Sequence, residues 1–267
     1  MASNVIIVGP PRSGTSMTAA FFKNSGYYVT ENEGSELQQP SEFNPHGFWE
    51  AASLRRCNTD ILNAAGFQFD NTWMYDSITD LQVEKILQLP HVDQHKKLLA
   101  SFSGHEPWLW KDPCLCYTLG YWWPLLEKLD VKVILVKRNP QEIHQSFLRL
   151  KWIELNGDDR AASLRRIERH MAAAERVVAS LNIPHIVVDY SDYERVPEET
   201  AKRIGAFFSV NLTASDIGFD KKLNTSGVRG RGIRLLDRFL DLMPGGLRQF
   251  CKKLVPSFVL KAIFPHR

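Results

Sequence analysis

The segment Gly9-Pro10-Pro11-Arg12-Ser13-Gly14-Thr15-Ser16 is the first in the chain whose residue types and spacing can do chemistry. Two glycines five positions apart let the backbone wrap an anion without Cβ clashes. Where such a segment opens a helix, the first N–H groups of that helix point at the anion. Ser13, Thr15 and Ser16 add hydroxyl donors, and Arg12 adds a permanent charge on a planar fork of donors. The spacing is that of a nucleotide-binding phosphate loop, except that Thr15 stands where that loop carries the lysine that reaches the β- and γ-phosphates. The cation has moved inside the loop, to Arg12, which suits a donor with one fewer bridging phosphate, or a phosphosulfate.

A second anion site is expected further along. The apolar run Lys132–Lys137 leads straight into Arg138, and Ser146 follows eight residues later. If Arg138 leaves a strand at its carboxyl end, a helix starting at Asn139 turns Ser146 back toward it. An arginine and a hydroxyl converging there suit a phosphate monoester. No metal site is expected. The cysteines Cys57, Cys114, Cys116 and Cys251 lack the paired spacing of a zinc site. His91 and His95 have i, i+4 spacing, but Pro90 interrupts their helix and no carboxylate supports them.

The elements that must position these residues alternate. Val5–Val8 reads as a buried strand, 15–25 as a helix with Gly26 just past its end, and 30–47 as a long polar loop. Helices are expected over 50–65 and 80–103, the latter broken or kinked at Pro90. A short strand is expected at Trp108–Trp110, a helix over 118–129, and a buried strand over 132–137. The helix over 140–155 has Asn139 as N-cap, Pro140 at its first position and Glu142 placed to close a capping box. A helix over 160–181, a strand over 184–190 and a helix over 197–208 complete the series. Such alternation predicts an α/β fold, a parallel sheet with helices on both faces, whose ligands sit at the carboxyl ends of strands.

Composition is that of a soluble globular protein, with 44% hydrophobic and 24% charged residues among 267. The net charge of +3 is unevenly spread. Residues 229–267 carry +7, and residues 1–228 carry −4. A near-neutral body with a basic tail argues against a nucleic-acid partner. The tail mixes Leu235, Phe239, Phe250 and Phe258 with Arg234, Arg238, Lys252 and Lys253. It reads as a basic amphipathic helical extension packed on the domain, and the same mixture suits peripheral contact with an anionic membrane. A strand at residues 4–9 is expected to leave no room for a signal peptide, and the expected location is cytoplasmic.

With these residues in view, the chain resembles the family of sulfotransferases that use 3′-phosphoadenosine 5′-phosphosulfate (PAPS), in its bacterial cytosolic type. Pro11-Arg12-Ser13-Gly14-Thr15-Ser16 resembles the family's 5′-phosphosulfate loop, and Arg138 with Ser146 resembles its 3′-phosphate pair. Asn44-Pro45-His46-Gly47-Phe48-Trp49-Glu50, Trp110-Lys111-Asp112-Pro113 and Tyr190-Ser191-Asp192-Tyr193 are similar to three further segments in family order, the last near the adenine. The resemblance implies a P-loop-like sulfotransferase domain over 1–228, PAPS as donor with its desulfonated product PAP, no metal, and a small-molecule, sugar or lipid acceptor. It implies Lys111 at the bridging oxygen or sulfonate and Tyr190 near the adenine. Two departures stand out. Pro113 occupies the position of the catalytic histidine of the cytosolic animal enzymes, and only Val228-Arg229-Gly230-Arg231-Gly232 loosely stands in for their C-terminal segment, which makes Arg229 a donor-site expectation. The base is therefore expected at Glu50 first, His46 second and Asp112 third. A carboxylate in that role needs a raised pKa, and Glu50 also reads as an acid favoured at a helix start. Trp73, Trp108, Trp122, Trp123 and Trp152 allow an apolar acceptor. The competing readings are a P-loop kinase of a small metabolite and a non-catalytic nucleotide-binding module.

Overall fold

The computed structural model describes residues 2–38, 40, 44, 47–67, 79–150 and 159–217. His46, Arg229, Trp73, Trp152, Cys251 and the basic tail lie outside the described residues.

Strand β1 (Asn4–Val8) is buried along its whole length, as a continuous β-branched run at the centre of a parallel sheet must be. It pairs on one side with β2 (Leu109–Lys111) and on the other with β3 (Val131–Lys137). Strand β4 (His185–Asp189) lies beyond β3, so the order is β2-β1-β3-β4, all parallel. Side chains alternate between two cores. Val5, Ile7, Ile134 and Val136 pack with Phe21 and Phe22 of helix α1 (Thr15–Asn24). Ile6, Val8, Val133 and Leu135 face the opposite layer. That layer includes α3 (Ala52–Ala64) and α6 (Leu115–Leu126). Helices therefore cover both faces, as the alternation predicts.

The remaining elements follow the sequence with local differences. The polar stretch after Thr30 holds one short helix, α2 (Glu33–Glu36). Pro90 separates α4 (Asp80–Gln88) from α5 (Asp93–Phe102), and Thr79 with Gln82 closes a capping box at the start of α4. Helix α6 begins three residues before the expected 118, because the turn after β2 passes directly into it. Helix α7 (Pro140–Arg149) starts as expected, with the Asn139 side chain accepting from the Gln141 N–H at 2.9 Å. Glu142 does not close the capping box there; it reaches back one turn to Arg138 instead. After α8 (Arg160–Ser180) and β4 come α9 (Asp192–Arg195) and α10 (Pro197–Phe208). Trp108 and Trp122 are core, locked with Trp110 and Phe102 in edge-on contacts of 5.0 to 5.7 Å, and so are not free to line an acceptor cleft. His91 and His95 hydrogen-bond to Tyr121, through its carbonyl and hydroxyl, each at 2.8 Å. Among the described residues no group of side chains could hold a metal ion, and no helix is long and apolar enough to cross a membrane.

His170 of α8 is buried against Tyr117 of α6, with ring centroids 4.9 Å apart, and its Nδ1–H donates to the Arg166 carbonyl. Burial disfavours the charged form and pulls this imidazole down to about 4. Because the folded value lies below the unfolded one, the unfolded chain binds the extra proton between pH ~6.5 and ~4. Denaturant unfolding followed over that window should show stability falling by about 3 kcal/mol as pH drops, and a smaller fall in His170→Leu.

Candidate active site

The site is assembled at the carboxyl ends of three adjacent strands. Ile7 of β1 is in register with Lys111 of β2, and Val8 with Leu135 of β3. The loop Gly9–Gly14 therefore leaves the sheet between the segment after Lys111 and the segment after Lys137. A Cβ on Gly9 would sit 2.6 Å from the Val136 carbonyl oxygen and 2.8 Å from Ser13 Oγ, so only glycine lets the loop pass so close to β3. Gly14 has φ 107°, and a Cβ there would meet the Tyr190 ring at 2.4 Å. Arg12 has φ 66°, a conformation that costs a non-glycine residue of order 1 kcal/mol. Pro11 and Thr15 are buried, and the Ser13 Oγ is buried with no hydrogen-bond partner. No side chain caps α1.

On the β3 flank, Arg12 and Ser146 come together although 134 positions separate them: Arg12 Nε donates to Ser146 Oγ at 3.0 Å. Arg138 donates through Nη1 to the Arg12 carbonyl at 3.1 Å and through Nε to Glu142 at 3.1 Å. Its guanidinium carbon lies 4.0 Å from the centre of the Tyr190 ring, a stacked cation–π contact. Tyr190 is thus wedged between Arg138 and Gly14. Burial, reinforced by the charges of Arg149 and Arg138, pulls Arg12 down to about 10. Arg149, one turn beyond Ser146, is lowered by burial and by Arg138. Sequence reasoning passed over Arg149; its i+3 spacing from Ser146 was the signal.

On the β2 flank, Lys111 is 4% exposed, donates to Ser16 Oγ at 3.1 Å and forms an ion pair with Glu50. Burial pushes the Glu50 carboxyl up, against the pull of Lys111 and with a further push from Asp112. Glu50 does not cap α3. That task falls to Glu36, whose carboxylate accepts the Ser53 N–H at 2.8 Å and is held below its ordinary value mainly by its bonds to Ser53, despite burial. Gly47 (φ 83°) and Trp49 (φ 57°) turn the chain immediately before Glu50. Asp112 is fully engaged in structure. One oxygen accepts from Asn58 Nδ2 at 2.8 Å and the other from the Cys114 N–H at 3.0 Å. Asn58 is itself a hub, because its Oδ1 accepts from Thr118 Oγ1 and Trp122 Nε1, both at 2.8 Å. Of the base candidates, Glu50 alone is both described and turned to the loop through Lys111; His46 lies outside the described residues.

A hydroxyl-rich loop flanked by guanidiniums on one side and a lysine–carboxylate pair on the other can hold an extended polyanion and move a proton at one end of it. The chain belongs to the sulfotransferase family: the model described as "Sulfotransferase family" matches residues 4–214. That membership supports a sulfotransferase enzyme. Among solved structures the chain is similar to the sulfotransferase domain from the Synechococcus PCC 7002 olefin synthase, at 17% identity over 84% of this chain and 80% of that one, with TM-score 0.45. It is similar to a sulfotransferase from Mycobacterium avium (16% identity, 80% and 66% covered, TM-score 0.47) and to one from Alicyclobacillus acidocaldarius (13%, 89% and 93%, 0.40). The search of curated proteins gave no match.

Removing Asn58 takes the donor from one Asp112 oxygen and strands the buried Trp122 indole N–H, while Thr118 keeps the Cys114 carbonyl as acceptor. Asn58→Ala should therefore cost about 2–4 kcal/mol in denaturant unfolding, more than an exposed amide could.

Proposed function

We propose that this protein transfers sulfonate from PAPS to a hydroxyl or amine of a small-molecule, sugar or lipid acceptor. The observation that carries the reading is the two-flanked loop, with Arg12, Arg138 and Ser146 linked on the β3 side and Ser16, Lys111 and Glu50 linked on the β2 side. A donor with a phosphosulfate at one end and a 3′-phosphate at the other has charge to offer both. The fit is also supported by the orphaned Ser13 hydroxyl inside the loop and by the cradle at Gly14 that any Cβ would fill.

When bound, such a donor supplies a sulfonyl group activated by its link to a phosphate. The residues then divide the work. The loop N–H groups of Gly14, Thr15 and Ser16 would hold the 5′-phosphate, with Ser13 and Arg12 beside them. Arg138, Ser146 and Arg12 would hold the 3′-phosphate, and Tyr190 would border the nucleoside while bracing Arg138. Glu50, kept basic by burial, takes the proton of the acceptor as the acceptor oxygen or nitrogen bonds to sulfur and the sulfur–oxygen bond to phosphate breaks. Lys111 counters the charge that collects on the leaving phosphate oxygen and keeps Glu50 ionised at rest. No metal is called for in these roles.

The test is thermal stabilisation by PAP, ADP and ATP, each with and without magnesium, since a ligand of the folded state raises Tm by mass action. PAP alone should shift Tm, and Arg138→Ala should abolish the shift. A magnesium-dependent shift with ATP and none with PAP would instead indicate a kinase. Once an acceptor is in hand, kcat/KM should fall toward acid pH along a limb set above the ordinary carboxylate range. Glu50→Gln should remove that limb and lower kcat by roughly 10²–10⁴, and Lys111→Ala should lower it by about 10²–10³.

A further inference from the structure

Helix α7 turns one stripe of side chains toward the anion loop. Glu142 accepts from Arg138 Nε at 3.1 Å, and one turn later Ser146 accepts from Arg12 Nε at 3.0 Å. Arg149 is the next residue of that stripe, because positions i, i+4 and i+7 share a helix face. Long side chains on a helix point back toward its N-terminus, which carries the Arg149 guanidinium over the turn that holds Ser146. The electrostatics agree with this placement. Burial and then the charge of Arg138 lower Arg149, while burial and then the charges of Arg149 and Arg138 lower Arg12. Three guanidiniums therefore crowd around one hydroxyl, with the Tyr190 ring stacked on Arg138.

The other parts of the site discriminate less between nucleotides. Backbone N–H groups at the start of α1 suit the 5′-phosphate of any nucleotide. On the β2 flank the charge of Lys111 is matched by Glu50. Arg12 belongs to the loop, yet its side chain reaches out to α7. Among the described residues, the means of telling one adenine nucleotide from another is thus concentrated on the β3 flank. Cations crowded there suit a ligand group with more than one negative charge.

We infer that Arg149 binds the 3′-phosphate of the donor together with Arg138, Arg12 and Ser146, and that it sets the preference for a 3′-phosphorylated nucleotide. The inference rests on the sulfotransferase reading, which supplies the donor. A phosphate monoester has three terminal oxygens and close to two negative charges, so it can accept from several guanidiniums at once. Each guanidinium offers a planar fork of donors that fits such oxygens in pairs.

The test compares PAP with 5′-AMP, which differs from it only in lacking the 3′-phosphate, by calorimetric titration of the full chain. The ratio of the two dissociation constants isolates the contribution of that phosphate. In the wild type PAP should bind at least about 100-fold more tightly. Arg149→Ala should cut this ratio by roughly 10- to 100-fold through weaker PAP binding, with 5′-AMP unchanged. Arg149→Lys, which keeps the charge and loses the fork, should restore part of the ratio. Arg149→Gln, which keeps part of the buried stem without the charge, should behave like the alanine variant and decides the question if that variant does not fold. A wild-type ratio in Arg149→Gln, or equal weakening of both nucleotides, would overturn the inference and leave the function standing, as would a wild type that does not distinguish PAP from 5′-AMP. No binding of PAP by the wild type, with magnesium-dependent binding of ATP, would overturn the sulfotransferase reading and the inference together.

Discussion

Everything at the site depends on the in-register parallel pairing of β1 with β2 and β3. Parallel strands in register end at the same level, so the chain segments that leave them emerge side by side. Here those segments are the loop from Gly9 and, more than 100 positions later, the turn at Asp112 and the arginine at 138. The pairing also sets the path of the loop, because Gly9 passes so near the Val136 carbonyl that a side chain would push the strands apart. Buried on both faces, β1 cannot shift its register without exposing one of the two cores to the other's partners.

The loop is not rigid on its own account. Arg12 sits in the left-handed region, which local sterics oppose. Two bonds from the β3 side offset that cost: Arg138 donates to the Arg12 carbonyl, and the Arg12 side chain donates to Ser146. The loop and the β3–α7 unit therefore hold each other, and the strained residue is the link between them. A lysine at position 12 would keep the charge and lose the planar fork that joins Ser146 while leaving donors to spare. The β2 flank is built differently. Asp112, adjacent to Lys111, is tied by both oxygens to Asn58 and the Cys114 N–H, so the turn that carries the lysine is fixed from beneath.

The frame was legible because buried parallel strands are unbroken apolar β-branched runs, as in Val5–Val8 and Lys132–Lys137, and because Asn139-Pro140 and Pro90 act on neighbouring backbone alone. The loop chemistry and the Arg138–Ser146 spacing were legible for the same reason, being local. What escaped is what depends on distant partners. Asn58 looks like any polar residue of an amphipathic helix until Asp112, Thr118 and Trp122 are seen around it. Glu36 sits in a polar stretch with nothing to mark it as the cap of a helix that starts 16 residues later. Glu142 had two partners within one turn, the Asn139 N–H and the Arg138 side chain, and a charge-assisted bond to a buried guanidinium outweighs a bond to an amide.

The contact of Glu36 with α3 bears on how the site is poised. Because Glu36 caps α3, Glu50 is released from the helix end and turned to Lys111, in surroundings that raise its proton affinity instead of lowering it. On the opposite flank the sense is reversed: burial and mutual repulsion make Arg12 and Arg149 less content with their charge than free guanidiniums. A dianion entering there would favour the charged form of both. Under the proposed function, that effect would add to the binding of the far end of the donor. Under the same proposal, binding energy realised away from the reacting centre could serve to position the reacting groups, where a small error would cost most.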